Sequence, residues 1–270
     1  LTFRERKDNG EPLSLIPKFT MKDEFEFTRL DLLEPKGSIF SPSVMSSWTI
    51  PICRGCLHNC VACGGHPYIY RTYLGRKKLA FRSPEKIAKD IQKLSEQGVR
   101  FIFLFQDPRM GGEKYWRSLL KTLSNSKTQL SHLTMELFGP ADEEYIKELS
   151  KIDVPIALSI SPESLVDSVR RAHGRNYTNE KLFKTMEICK RYDIHLSIFS
   201  MIALANDTPK TIRETWEGWE QICSMNLKVK GKELVDYSFG PMILLDPGSL
   251  AFDFPKNHDY RLLFKNLEDY

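Results

Sequence analysis

The 270-residue chain carries 39 basic and 35 acidic residues, a formal net charge of +4, with 41% hydrophobic residues. That length and apolar content support one core of native size, and so balanced a charge excludes nucleic acid as an expected partner unless a local basic patch concentrates it. The longest apolar runs, such as "FIFLF" at 101–105, fall far short of the roughly 20 residues needed to cross a bilayer, so no membrane partner is expected.

The amino-terminal end lacks an initiator Met and the basic-then-apolar order of a secretory signal, and reads as a piece of something longer. Residues 1–45 show no sustained periodicity; "KDNGEP" is a turn signal, and Pro17, Pro35, Gly37 and Pro42 mark an extended linker or approach segment. From Trp48 a pattern repeats of short apolar run, loop and amphipathic helix. "WTIPI" is the first strand. Ser83 caps a helix with Pro84 in its first turn, Ile87, Ile91 and Leu94 on one face, and a stop at Gly98. "VRFIFLF" and a helix over 113–123 form the second unit, and "LTMELF" with a helix over 142–149 the third. "PIALSI" precedes a long helix capped by Thr178 and running to Arg191. "HLSIFSMIAL" precedes a helix opened by Thr208 and Pro209, and "DYSFGPMIL" is a sixth strand. Strands alternating with helices predict right-handed βαβ units and a parallel sheet. Six such units predict α/β architecture, a partial (β/α)6 TIM-like barrel, with an open doubly wound sheet as the alternative. The expected organisation is a linker over 1–45, a core over 46–250 and an extension over 251–270.

"CRGCLHNCVACGGH", residues 53–66, follows the first strand and places four of the six cysteines within eleven residues. Clustered cysteines of this kind read as metal ligands or redox groups in a reducing, cytoplasmic compartment. The spacing divides two ways. As two CxxC knuckles, all four thiolates could close a zinc site, although only Leu57, His58 and Asn59 separate them. Taken from Cys56, the run is C-x3-C-x2-C, three ligands that leave one iron of a four-iron cluster free for a substrate or cofactor. Cys189 and Cys223, on helix patterns, are expected core thiols. Arg76, Lys77 and Lys78, the nearest thing to a basic patch, read as a solvated loop.

"CLHNCVAC" after a first strand resembles the cluster motif of the radical SAM superfamily, over roughly residues 48–250. "CRGC" is similar to the first half of the "SRGCPxNCxFC" loop of a branch whose members often carry a cobalamin (B12)-binding domain before the barrel. Cys53 stands where Ser is usual there. The cysteine loop and the closing "FKNLEDY" most resemble a group within that branch described only as B12-binding radical SAM proteins. The resemblance implies that Cys56, Cys60 and Cys63 bind a 4Fe-4S cluster and that S-adenosylmethionine (SAM) chelates the fourth iron. An electron donor such as flavodoxin or ferredoxin would then drive cleavage of SAM to a 5'-deoxyadenosyl radical, which abstracts hydrogen from a substrate that no residue here names. Cobalamin would come from a domain outside this chain and make methyl transfer the chemistry.

The resemblance also assigns rim residues singly. Gln106 and Asp107 end the second strand where the family binds the SAM amino group, and Glu136 ends the third where a carboxylate approaches it. Glu163 and Ser164, in "SISPES", match the ribose-binding "GIES", and Arg175, in "RRAHGRNYT", is the expected partner of the SAM carboxylate. The "GGE" at 111–113 comes too late and reads as coincidence. His58 and His66 flank the cluster as loop residues. Two departures stand out. Ala62 replaces an aromatic residue, and "ALANDT" (203–208) replaces "GLPGET", which implies a differently shaped adenine-binding backbone. The competing function is an iron–sulfur electron carrier or zinc-binding module that uses all four clustered cysteines.

Overall fold

The computed structural model describes residues 27–30, 47–225, 227–229 and 232–263. Most of the expected linker and the end of the expected extension lie outside the described residues.

Alternation along each strand decides which side of the sheet the helices cover. Ile50, Ile102, Leu104, Met135, Leu158 and Ile198 share one parity and are at most 1% exposed. They meet the apolar stripes of the helices in a single core that includes Ile87, Ile91, Leu119, Ile146 and Met186. The other parity carries Thr49, Phe103, Thr134, Glu136, Ser159 and Ser197, and faces away from the helices. The result is one six-stranded parallel sheet in chain order: β1 (Trp48–Pro51), β2 (Phe101–Phe105), β3 (His132–Leu137), β4 (Ile156–Glu163), β5 (His195–Ile202) and β6 (Val235–Met242). Every neighbouring pair is parallel. It is the sheet of a partial, TIM-like (β/α)6 barrel.

The helices are α1 (Pro67–Thr72), α2 (Pro84–Glu96), α3 (Glu113–Ser124), α4 (Glu143–Leu149), α5 (Asp167–Ala172), α6 (Asn179–Arg191), α7 (Pro209–Ser224) and α8 (Leu250–Asp253). Their starts follow the side chains that satisfy first-turn N–H groups. Ser83 accepts from Lys86 N, Asp142 from Tyr145 N and Thr178 from Lys181 N, and Thr208 forms a capping box with Thr211. The short α1, α5 and α8 were not expected from periodicity, since six residues or fewer span too few turns to show it.

Two departures have local causes. β5 stops at Ile202, two residues short of the expected end, because Ala203 turns to φ +60°. Cys189 is buried as expected, but Cys223 is exposed. On α7 the buried positions are Thr215, Gly218 and Ile222, and the residue after Ile222 lies about 100° around the helix from it, towards solvent. Among the described residues no helix is long and apolar enough to cross a membrane.

Candidate metal and cofactor site

The cysteine loop leaves the carboxyl end of β1 and is held by contacts distant in sequence. Cys53 and Arg54 pair antiparallel with Phe81 and Ala80, and Cys53 N donates to Gln106 Oε1 at 2.9 Å. On one flank Val61 N donates to His173 O at 3.4 Å. On the other, Asp246 N donates to Ala62 O at 3.0 Å and Ala251 N to Val61 O at 2.9 Å. Gly64 N donates to the Asp246 carboxylate. Gly174, at φ +83°, lies so close that a Cβ there would stand 1.9 Å from Asn59 O.

These contacts sort the four thiols. Cys53 is 1% exposed, belongs to the apolar core and points its Sγ at Gly55 O, 3.6 Å away. Burial pushes its pKa up to about 12, with Cys56 and Asp107 adding to the effect. Cys56, Cys60 and Cys63 lie in one another's electrostatic field, and each also faces Arg175. Burial pushes Cys56 up to about 11, opposed by the His58 N–H and Arg175. Burial likewise raises Cys60 and Cys63, again opposed by Arg175. Backbone N–H groups already aim at two of these sulfurs: His58 N at Cys56 Sγ (3.4 Å) and Gly65 N at Cys63 Sγ (3.2 Å). Among the described residues, no three His, Cys, Asp or Glu side chains converge as a single metal ion requires. Three thiols on one loop beside a cation fit an anionic iron–sulfur cluster.

Beside the thiols, Arg175 and Glu163 form an ion pair at 2.7 Å (Nη2 to Oε1). Arg175 Nε and Glu163 Oε2 remain buried without a partner, as does Tyr177 Oη. Burial alone would depress Arg175, but Cys60 and Glu163 hold its pKa above the ordinary guanidinium value. Such orphaned groups carry a desolvation cost that a polar ligand would remove. Glu136 sits in the rim's polar layer, in register with Ser159, and accepts from Gln106 N at 2.6 Å. Burial raises its pKa to about 7, partly offset by that hydrogen bond and by Arg175.

The other three rim residues are engaged within the fold. Asp107 forms a bidentate pair with Arg109, whose Nη1 and Nη2 donate to Pro140 O (2.8 Å) and Gly139 O (2.7 Å). Asp107 also accepts from Phe138 N at 2.9 Å, so it ties the β2 and β3 loops together. The Gln106 side chain anchors Cys53. Ser164 is 2% exposed, and its Oγ accepts from Val166 N at 3.0 Å and lies 3.3 Å from Thr215 Oγ1 on α7. His66 caps α1 through Nδ1, and Glu113 of the "GGE" pairs with Arg117 in solvent.

Three strand ends carry non-glycine residues at positive φ: Gln106 (83°) after β2, Glu163 (66°) in β4 and Ala203 (60°) after β5, with Asn206 (69°) close behind. Ala203 and Asn206 occupy the two glycine positions of "GLPGET". Both residues adopt the left-handed conformation that glycine takes without strain. Ala203→Gly should leave the structure unchanged and stabilise it by about 1 kcal/mol, measured as a rise in urea midpoint. A lower midpoint would show that Ala203 is unstrained. Sequence reasoning also missed residues that act only through tertiary contact: Gly174, Asp246, Tyr260, whose hydroxyl accepts from Ala205 N at 3.1 Å, and Met110, whose sulfur lies 3.9 Å from Cys56 Sγ. The polar row continues along the sheet through Ser159, Ser197 and Asp236, the last paired with His195.

A partial barrel with a three-thiol loop on its carboxyl rim defines a class of cluster-binding α/β proteins. The radical SAM superfamily model matches residues 50–217, and the chain belongs to the radical SAM superfamily. Comparison with curated proteins finds no match. Among solved structures, the chain is similar to the radical S-adenosylmethionine methyltransferase TsrM from Kitasatospora setae, with cobalamin and a [4Fe-4S] cluster bound (15% identity, 77% of this chain and 36% of that one, TM-score 0.59). It is also similar to the cobalamin-dependent S-adenosylmethionine radical enzyme OxsB with aqua-cobalamin and S-adenosylmethionine bound (13%, 82% and 37%, 0.57), and to methylornithine synthase, PylB (13%, 75% and 55%, 0.53). The chain spans about a third of the length of TsrM and OxsB.

Proposed function

We propose that the chain is the core of a radical SAM enzyme in which Cys56, Cys60 and Cys63 hold a 4Fe-4S cluster and the fourth iron takes SAM. One observation carries this reading: three loop thiols share a field with Arg175, while Cys53 is withdrawn into the core. When bound, the cluster supplies the electron that breaks the SAM sulfonium and yields a 5'-deoxyadenosyl radical for hydrogen abstraction. The chain's own residues place the reactants. Arg175, already oriented by Glu163, offers its guanidinium to the SAM carboxylate. Glu163 Oε2 accepts from a ribose hydroxyl, and Glu136 accepts from an N–H of the SAM amino group. Gln106 and Asp107 support this set from behind, and Ser164 fixes the start of α5. Anaerobic reconstitution and electron paramagnetic resonance, with and without SAM, test the reading. A reduced-cluster spectrum unchanged by SAM, with no 5'-deoxyadenosine formed, would sink it.

Methyl transfer with cobalamin delivered by a domain outside this chain is the more specific form of the proposal. The fold likeness to TsrM and OxsB supports it; hydrogen abstraction without methyl transfer is the other form. A reducing, cytoplasmic setting suits the exposed thiol of Cys63.

Glu136 gives the SAM reading a pH signature. Its surroundings are Gln106 N, which favours the anion, Arg175, which does the same, and Asp107, which opposes it. The carboxylate anion is the better acceptor for that N–H, so SAM affinity should strengthen as pH rises towards and through about 7 and level off above it. Glu136→Gln should flatten that profile. Stability moves the other way. The folded pKa exceeds the unfolded value, so the folded state binds more protons between about 4.5 and about 7 and is destabilised as pH rises through that window, by at most about 3 kcal/mol. Urea melts of both proteins across the window read this; equal slopes would refute it.

A further inference from the structure

The basic run 76–78 does not stand alone in solvent. It forms one wall of a cleft of about 570 Å³ whose other walls are the cluster loop, including Cys56, and helix α1 with Tyr70 and Arg71. Arg71, Arg76, Lys77 and Lys78 all line it, and among the described residues no carboxylate does. Arg54, at the start of the loop, adds to the field: partial burial and then its repulsion hold Arg76 below the ordinary guanidinium pKa. Leu57, 60% exposed, projects from the loop at its edge. A second cleft, holding Arg175, Tyr177 and His58, lies across the loop. The two share only Leu57 and Asn59, so the basic cleft reaches the Cys56 side of the loop by a route that avoids the residues assigned to SAM.

We propose that this cleft is the docking surface for a small acidic one-electron carrier protein, with Arg71, Lys77 and Lys78 receiving its carboxylates and the Gly55–Leu57 backbone carrying the electron path to Cys56. The proposal rests on the reading of the thiols as cluster ligands. A one-electron reduction needs an external donor, and the shortest way in is past a ligand at the surface. The carrier is oxidised by one electron, the group on Cys56, Cys60 and Cys63 is reduced by one, and no atom is exchanged. Like-signed cations at the entry raise the local concentration of an acidic partner and steer its approach.

The test compares wild-type protein with an Arg71→Glu/Lys77→Glu/Lys78→Glu variant, using an acidic flavodoxin as probe. Calorimetry of flavodoxin binding should show affinity weakened at least about tenfold in the variant, and wild-type affinity falling steeply between about 50 and about 300 mM salt. SAM cleavage driven by reduced flavodoxin should fall by the same factor, while dithionite-driven cleavage stays within about twofold of wild type. Equal flavodoxin affinity in the two proteins, or salt-independent binding, overturns the proposal. So does pyrophosphate binding that is lost in the variant while flavodoxin affinity is kept, which would assign the cleft to a small anionic ligand. Absence of dithionite-driven cleavage in both proteins would refute the radical reading, and the binding comparison would still decide the docking surface. If the triple variant melts early, Lys77→Gln/Lys78→Gln should show a smaller loss in the same direction.

Discussion

Cys60→Ala protein, reconstituted anaerobically with iron and sulfide, should hold almost no cluster, whereas Cys53→Ala should hold about four irons per chain. The two cysteines differ in what surrounds them. Cys60 shares a field with Cys63, Arg175 and Glu163; removing it leaves two thiolates, too few to retain a cluster against exchange into solvent. Cys53 is sealed in the core with Ile50, Ile52 and Leu104, and among the described residues its thiol hydrogen-bonds to Gly55 O. Its loss should register as stability, about 1 kcal/mol for a small cavity, and not as iron. The paired measurement is therefore crossed: iron content falls in Cys60→Ala with little change in the apo-protein Tm, and Tm falls in Cys53→Ala with iron retained. Loss of the cluster from Cys53→Ala would restore the closed four-thiolate site and with it the carrier or zinc reading. Because burial raises the pKa values of Cys56, Cys60 and Cys63, loading a cluster onto them must also expel their protons.

What could be read from the sequence was whatever a local pattern encodes. The helices with Ser83, Thr178 and Thr208 at their starts were legible because a cap and an apolar stripe lie within a few residues of each other. The six strands were legible as apolar runs, and the parallel sheet followed from the crossovers between them. The assignment of Asp107 shows the limit. A carboxylate at a strand end looks the same in sequence whatever it meets, so the pair Asp107 forms with Arg109, two residues on, was not legible there. "ALANDT" hid its conformation because alanine seldom takes positive φ, so the residue type argued against what the backbone does. Lys77 and Lys78 are exposed on a loop, as their charge implies, whereas their place across a cleft from Cys56, 20 residues away in sequence, is set by tertiary structure alone.

Gly174 carries the clearest case of chemistry encoded only in tertiary contact. Gly174→Ala should destabilise the protein by at least about 3 kcal/mol and lower its iron loading. The glycine sits at φ +83°, and an added Cβ would lie 1.9 Å from Asn59 O, 2.5 Å from Asn59 C and 3.0 Å from Cys60 N. All three are backbone atoms of the cluster loop, which has no flexible side-chain end to swing away. The strand of loop between Cys56 and Cys60 must move, and the Val61 N to His173 O hydrogen bond beside it is lost. Gly98→Ala separates this effect from backbone strain. Gly98 also has positive φ, 96°, but nothing lies within 4 Å of its added Cβ. It should cost only the left-handed penalty, about 1–2 kcal/mol, and leave iron loading intact. Urea melts of the two apo variants, with iron analysis of protein reconstituted well below either Tm, make the comparison. Equal destabilisation and equal iron would mean that the His173–Gly174 turn does not hold the cysteine loop. A larger loss at Gly174 on both measures would make that turn, as much as the cysteines, a determinant of the site: it fixes the Asn59–Cys60 peptide, and so decides where the second of the three thiolates stands.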